Sequence, residues 1–455
     1  MKSIPKVKPS SGIKRTIRQI KMTLSPVDFL QQRNKQYGDF YIVPFKNAPP
    51  NLVTSNPLAI EDIFTLSNNK FEVGKGNRML AFLVGDNSLL LLDGKKHKNR
   101  RRLLMPPFHR EALGKCSQQI IEITNKVVSN WEINKPFKIR PVMQEITLRV
   151  ILSAVFGIDS GERYDRLRES LTKLLDIFNT PASSSFMFFP FLQKDWGKYS
   201  PWGRFLLLKA EIRQLIYAEI ADRRNLLQSQ EIENPDIFSL LLLATDENGN
   251  GMNDEELHDE LITLLFAGHE TTASALSWLF YWIHYLPEVQ DKLRFELNNL
   301  EEEIGYKNVN SLTYLDAVVS ETLRIYPIAA GTFGRILTEK ASIMGHDFDP
   351  TTWLMISIYS LHHREDLYPD PEQFKPERFL NRNYSPYEYI PFGGGNRRCI
   401  GSALALLEMK LVTTTVLQQF ELNLTSKKPM FPVRRGLTLA PPSGFKMMVT
   451  GKLNR

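Results

Sequence analysis

The segment Phe392-Gly393-Gly394-Gly395-Asn396-Arg397-Arg398-Cys399-Ile400-Gly401 holds the densest chemistry in the chain and runs directly into a helical pattern beginning near Ser402. Three successive glycines permit backbone conformations and close approaches that other residues cannot make. A lone cysteine follows them at the start of a helix, where free N–H groups and the helix dipole lower a thiol's pKa. Bare backbone, an exposed sulfur and amides that stabilise the anion would present a thiolate to a large flat ligand. Two other glycine-loop chemistries fail. A phosphate loop needs Gly-Lys-Ser/Thr, and a dinucleotide fingerprint begun at Gly393 needs glycine where Arg398 stands. For the loop on its own, a buried cysteine in a tight turn competes with the thiolate reading.

A second cluster lies in the middle of the longest periodic stretch. Ala267-Gly268-His269-Glu270-Thr271-Thr272 interrupts an apolar helix pattern that opens at Asn253 and stops before Pro287. Leu264, Gly268, Thr271 and Ala275 share one face, a stripe of mostly small residues that ordinarily signals close helix packing. Glycine and two threonines around an acid are nevertheless unfavourable in mid-helix, and such local rule-breaking is expected at functional sites. Glu321 and Arg324 fall at i and i+3 on a further helix, in isolation an ordinary surface ion pair. Gly94 to Arg110 contains seven Lys or Arg and no acid, read alone as a solvated face or a nucleic-acid patch.

These residues must be held by a mainly helical scaffold. Asn253 is the predicted N-cap of the long helix, with Asp254, Glu255 and Glu256 in the first turn where the dipole favours acids. At 1.5 Å per residue this helix spans about 50 Å, enough to cross the whole molecule. Further helices are predicted from about Pro57 and over 288–303, 313–325 and 402–420, with strand-like segments at 38–66, 332–337 and 352–358. The predicted class is mostly α (α+β): one large helical domain with a small β portion, rather than three domains, over residues 35–455, preceded by a basic segment at 1–34. The 455 residues carry 57 Lys and Arg against 50 Asp and Glu, a net charge of +7 that allows an anionic partner without identifying one. Cys116 and Cys399 are the only cysteines, too few and too far apart for a disulfide framework or a cysteine-based zinc site. No apolar run reaches the length of a membrane span. Lys2, Lys6, Lys8, Lys14, Arg15, Arg18 and Lys21 precede the first acid, with Ile13, Ile17 and Ile20 at helical spacing between them. That segment reads as a solvated tail, a transit peptide or an amphipathic membrane contact.

The cysteine loop matches Phe-x-x-Gly-x-Arg-x-Cys-x-Gly at every fixed position and resembles the haem-binding loop of the cytochrome P450 family. The mid-helix cluster resembles the family's oxygen-activating motif, Glu321-Thr322-Leu323-Arg324 its Glu-x-x-Arg motif, and Pro376-Glu377-Arg378-Phe379 the segment completing a buried triad. Four motifs in family order cover about residues 35 to 450. The resemblance implies the cytochrome P450 fold, with the long helix over the haem, and haem b as cofactor with Cys399 as axial thiolate. Phe392 and Gly393 would belong to the cofactor loop. Arg397, His97, Arg101 and, more weakly, Arg335 would meet the haem propionates. Gly268 is expected to make room above the iron, Thr271 to hydrogen-bond the bound oxygen and Glu270 to relay protons. His269 is read as a helix-surface or packing residue. Glu321, Arg324 and Arg378 would form the structural triad. Lys95, Lys96, Lys98 and Arg102 could dock an acidic electron carrier.

The implied activity is that of a monooxygenase, an oxidoreductase acting on paired donors with incorporation of one oxygen atom. Electrons would come from a separate ferredoxin or flavodoxin with its reductase, since no fused redox domain is expected in the fifty-odd residues after Cys399. A monomer is expected, cytoplasmic or peripherally membrane-associated, with no nucleic-acid partner. Apolar positions in substrate-facing segments are Phe82, Leu83, Phe266, Ala267, Ala329 and Leu439, with Met79, Leu80, Ile328 and Phe333 beside them. Phe186, Met187, Phe188, Phe189 and Phe191 lie where the family has its access loop. Core packing competes at each position. Together they favour a lipophilic ligand, a long-chain fatty acid or related lipid first and a terpenoid or retinoid next. A peroxide-using haem-thiolate enzyme usually departs from the Gly268/Glu270/Thr271 set, and a non-catalytic haem sensor or lipid carrier needs neither that set nor a docking face.

Overall fold

Asn253 caps the long helix as predicted: its side chain accepts from Glu256 N–H while the Glu256 side chain accepts from Asn253 N–H, a complete capping box. The helix runs Asp254–Tyr285, 32 residues or about 48 Å, and the proline at 287 prevents its continuation. In the computed structural model, which describes residues 4–7, 21, 25–44, 49–108, 110–177, 190–229, 236–246, 249–300 and 303–453, it is the axis of the molecule. Helices Ile139–Ile151, Thr313–Ile325 and Ser402–Gln419 pack on it, and one apolar core joins them all. The expected mostly α (α+β) architecture is what the structure has.

The β portion is separate and small. Its main sheet runs in the order Phe40–Val43, Asn51–Thr54, Trp353–Ile356, Arg335–Leu337, Phe71–Glu72, with Asn51–Thr54 and Trp353–Ile356 parallel and the other pairs antiparallel. Helix Pro57–Thr65 covers this sheet through Ala59, Ile60 and Ile63 in a second core. Two expectations shift. The helix predicted over 288–303 is Pro287–Asn298, since Asn298 and Asn299 are weak helix formers and the acids that follow oppose the dipole at a helix C-terminus. The boundary expected between residues 34 and 35 falls inside helix Pro26–Tyr37, and the N–H of Val7, 1% exposed, donates to Ile42 O while Ile42 N–H donates to Pro5 O. Described parts of the first 34 residues therefore belong to the body of the fold. The basic residues from Lys8 to Arg18, and the isoleucines between them, lie outside the described residues.

The predicted triad is assembled. Glu321 and Arg324 are fully buried and joined by two bonds of 2.7 and 2.8 Å, and Arg378 Nε reaches Glu321 at 3.1 Å. Arg324 also donates to His362 O at 2.7 Å and to Gln373 O at 3.3 Å. The carboxylate accepts in addition from Lys375 N–H at 2.9 Å. From here a relay of bonds leads to the cysteine. His362 Nε2 accepts from Ile390 N–H at 3.0 Å, Gly393 N–H donates to Ile390 O at 3.0 Å, and Cys399 N–H donates to Phe392 O at 2.9 Å. Removing the acid strands two buried guanidinium groups, so Glu321→Gln should lower unfolding free energy by about 3–5 kcal/mol. Denaturant unfolding measures this; a loss below about 1 kcal/mol would show the cluster to be dispensable.

Candidate active site

Gly393 and Gly395 hold φ of +66° and +63°, which side chains rarely tolerate, so the loop turns sharply on either side of Gly394. A Cβ on Gly394 would lie 2.1 Å from Phe64, so the loop can seat on helix Pro57–Thr65 only with glycine there. Arg335 locks the same spot: its guanidinium stands 5.0 Å over Phe64 and 5.5 Å over Phe71 and donates to Gly394 O at 3.2 Å. The loop ends on Cys399, which is exposed, ahead of helix Ser402–Gln419. Protein crowded around the residue pushes the thiol up, while the Gly401 N–H and the charges of Arg101 and Arg398 favour the thiolate. Among the described residues no group of three or more His, Cys, Asp or Glu could hold a metal ion. Cys399 could therefore serve an iron only as a single ligand to a metal that brings its other ligands with it.

The cationic candidates converge as expected. His97 and Arg101 come from helix Gly94–Leu104, Arg335 from the sheet and Arg397 from the loop. Burial lowers His97 to about 4, with Arg397 and Arg101 adding to the effect. Burial likewise brings Arg397 to about 10, Asp93 opposing and Arg101 assisting, and Arg335 to about 10, assisted by Arg397. Asp93 is the acid among them: it accepts from Arg397 at 2.7 Å and from the N–H groups of Val73 and Gly74 at 2.7 and 3.0 Å. Arg335 and Arg397 each keep a buried Nε without a hydrogen-bond partner among the described residues. A knot of cations facing one carboxylate suits a dianionic ligand, and the two propionates of haem fit it.

Burial along the long helix breaks once. Leu257 to Leu265 and Thr272 to His284 are buried, whereas Phe266, Gly268, Glu270 and Thr271 are half-buried and Ala267 is exposed. Bracketed by packed turns, these residues border an internal space. The Thr271 hydroxyl donates to Ala267 O at 2.5 Å. Glu270 is paired with Arg140 and accepts from Gln144 at 3.0 Å. His269 is inside rather than on the surface, its Nδ1 2.8 Å from Thr147 Oγ1. A Cβ on Gly268 would fall 2.9 Å from Ile151 Cδ1, so glycine there also lets helix Ile139–Ile151 approach closely.

Of the apolar candidates, Phe82, Leu83, Phe266 and Ala329 are half-buried and Phe333 is 44% exposed. Phe82 packs on Trp202 and Phe205 at the start of helix Pro201–Ser229. Leu439 is 2% exposed, its N–H bonded to Ile328 O at 2.8 Å, and so backs the lining without offering surface to a ligand. Phe186 to Phe189 lie outside the described residues, and Phe191 is 69% exposed. Lys95, Lys96, Lys98 and Arg102 point outward from the basic helix, while Arg100 turns inward to Glu256 and Glu260 at 2.5 and 3.0 Å. Sequence reasoning missed Arg100, Asp93, Arg140 and Gln144. Only Asp93 had a local signal, its place just before a helix start.

A family model described as Cytochrome P450 matches residues 5–449. Cytochrome P450 135B1 of Mycobacterium tuberculosis is 34% identical over 443 residues, covering 97% of this chain and 91% of that protein. Cytochrome P450 135A1 of the same organism is 32% identical over 418 residues, 91% of this chain and 89% of the relative. A solved cyanobacterial cytochrome P450 with retinoic acid bound superposes with TM-score 0.82 at 26% identity, covering 95% of this chain and 96% of its own.

Burial holds the imidazole of His269 down to about 3, with Arg140 adding to the effect. The unfolded chain therefore binds this proton first: stability is complete above about pH 6.5 and falls as pH drops towards 3, by up to about 1.4 kcal/mol per pH unit. His269→Asn should flatten that slope in denaturant titrations, and an unchanged slope would remove His269 from the acid response.

Proposed function

Because the chain belongs to the cytochrome P450 family, whose members are haem-thiolate monooxygenases, we propose that it hydroxylates a lipophilic small molecule, a long-chain fatty acid or related lipid, using O₂ and two electrons from a separate redox partner. Cys399 would hold the haem, which would supply the oxygen-activating chemistry, the thiolate contributing electron density. One oxygen atom enters the substrate and the other leaves as water, which consumes two protons. His97, Arg101, Arg335 and Arg397 would hold the propionates by charge-assisted bonds. Thr271 would pass a proton from its hydroxyl to the bound oxygen and be resupplied through Glu270, which would relay protons from solvent. The observation that carries this reading is the break in burial at Phe266–Thr271, where His269 alone stays buried, in a helix buried on either side from Leu257 to Leu265 and from Thr272 to His284, together with an exposed Cys399.

Half-buried Phe82, Leu83, Phe266 and Ala329 offer apolar surface, whose burial by a lipid would contribute on the order of 25 cal/mol per Å². A retinoid or terpenoid substrate is the second reading, favoured by the retinoic acid bound to the structural neighbour. Family members take electrons from redox partners, and a ferredoxin or flavodoxin with its reductase is our reading here. The exposed Lys95, Lys96, Lys98 and Arg102 would meet its acidic face. A cleft of about 530 Å³ on the outer side of the cysteine-loop helix, lined by Phe108, Leu113, Leu406 and Leu407, would receive its apolar centre. Among the described residues no helix is long and apolar enough to cross a membrane.

Absorbance titration of the haem-loaded protein with palmitic acid, and separately with retinoic acid, tests the substrate. A saturable shift of the Soret band to shorter wavelength with palmitic acid supports the lipid reading; a shift with retinoic acid alone replaces it with the retinoid one. Cys399→Ala should abolish the thiolate spectrum of the reduced carbon monoxide complex, and its persistence would mean another ligand. Thr271→Ala should cut product formed per reductant consumed by at least about tenfold, with the balance released as hydrogen peroxide. Unchanged coupling would take Thr271 out of the mechanism.

A further inference from the structure

Helix Ile139–Ile151 contacts the middle of the long helix residue by residue. Arg140, Gln144, Thr147 and Ile151 lie on one face. Ile151 fills the place of a Gly268 side chain, Thr147 bonds His269, and Gln144 and Arg140 both hold the Glu270 carboxylate. Arg140 also donates to Gln144 Oε1 at 3.3 Å, so the two partners brace each other. At about 100° of rotation per residue, His269 points at this helix while Ala267 and Thr271, two positions either way, lie on the opposite side. Glu270 stands between these faces, and its carboxylate is drawn to the packed flank, away from Thr271. Arg140 and Glu270 are 8% and 19% exposed, so little water competes for the contact.

We propose that Arg140 is the positioning residue of the proton relay: with Gln144 it fixes the Glu270 carboxylate on the flank of the long helix, and each proton bound for Thr271 is taken from solvent and handed on by the carboxyl group held there. The proposal rests on the monooxygenase reading, in which Glu270 relays protons from solvent. Arginine suits the task because its fork can serve the carboxylate and the glutamine amide together, whereas lysine offers charge without the fork. An unheld carboxylate would wander, and displacement by about 1 Å is enough to cost a relay much of its rate. Reduced oxygen would then escape as peroxide.

The test uses the haem-loaded protein with a ferredoxin and its reductase and no added substrate, in wild type, Glu270→Gln, Arg140→Gln and Arg140→Lys. Two quantities are read: the infrared carboxylate band that disappears in Glu270→Gln, and the hydrogen peroxide released per reductant consumed. The expected result is a displaced band and at least about a twofold larger peroxide share in Arg140→Gln, with Arg140→Lys restoring part of both. The spectrum of the reduced carbon monoxide complex serves as the folding control, and if Arg140→Gln fails it, Gln144→Leu carries the same two readouts with smaller changes. An undisplaced band overturns the proposal. So does a displaced band with an unchanged peroxide share, provided Glu270→Gln itself raises that share. If Glu270→Gln leaves the share unchanged, the relay role of Glu270 falls, and the displaced band still shows Arg140 placing the carboxylate.

Discussion

A guanidinium with no exposed surface cannot keep its charge in a protein interior unless most of its donors are used, and Arg324 sets this condition for the lower half of the molecule. Glu321 supplies the charge; His362 O and Gln373 O take further donors. His362 O closes helix Ile358–His362 and Gln373 O lies in the stretch with little regular structure that follows it, so satisfying Arg324 anchors that stretch on its way to the cysteine loop. Through His362, Ile390 and Phe392 the same bonds reach the Cys399 N–H. A scaffold of hydrogen bonds thus ties the cysteine to the triad.

The cofactor end follows a complementary logic. Arg324 is satisfied by its own chain, whereas Arg335 and Arg397 are brought together with His97 and Arg101 around a single acid. Such an arrangement costs stability in the chain alone and favours a ligand that brings negative charge. Asp93 keeps the cluster tolerable and also ties Val73 and Gly74 to it, joining the sheet side of the molecule to the basic helix.

What could be read from the sequence divides by the range of the interaction. The long helix was legible because its cap, first-turn acids and terminal proline are local signals, and the structure reproduces it nearly to the residue. The glycines of the cysteine loop and the triad were legible through motif spacing. Glu270 was legible, but its partner Arg140 was not, because the two are 130 positions apart and an arginine on an amphipathic helix looks like any surface arginine. Gly268 shows a subtler limit. Sequence marked it as unusual, yet that the missing side chain also makes room for Ile151 depends on which way the helix face turns.

The triad also constrains how the chain can assemble. Glu321 and Arg378 are 57 positions apart, and closing a span of that length costs conformational entropy that no local bond repays. Helices with capping boxes form early and cheaply, but the cysteine loop inherits its shape from contacts of high sequence separation. The cysteine loop therefore takes its native shape only where contacts distant in the sequence have closed, which ties cofactor binding to the tertiary fold rather than to any local segment.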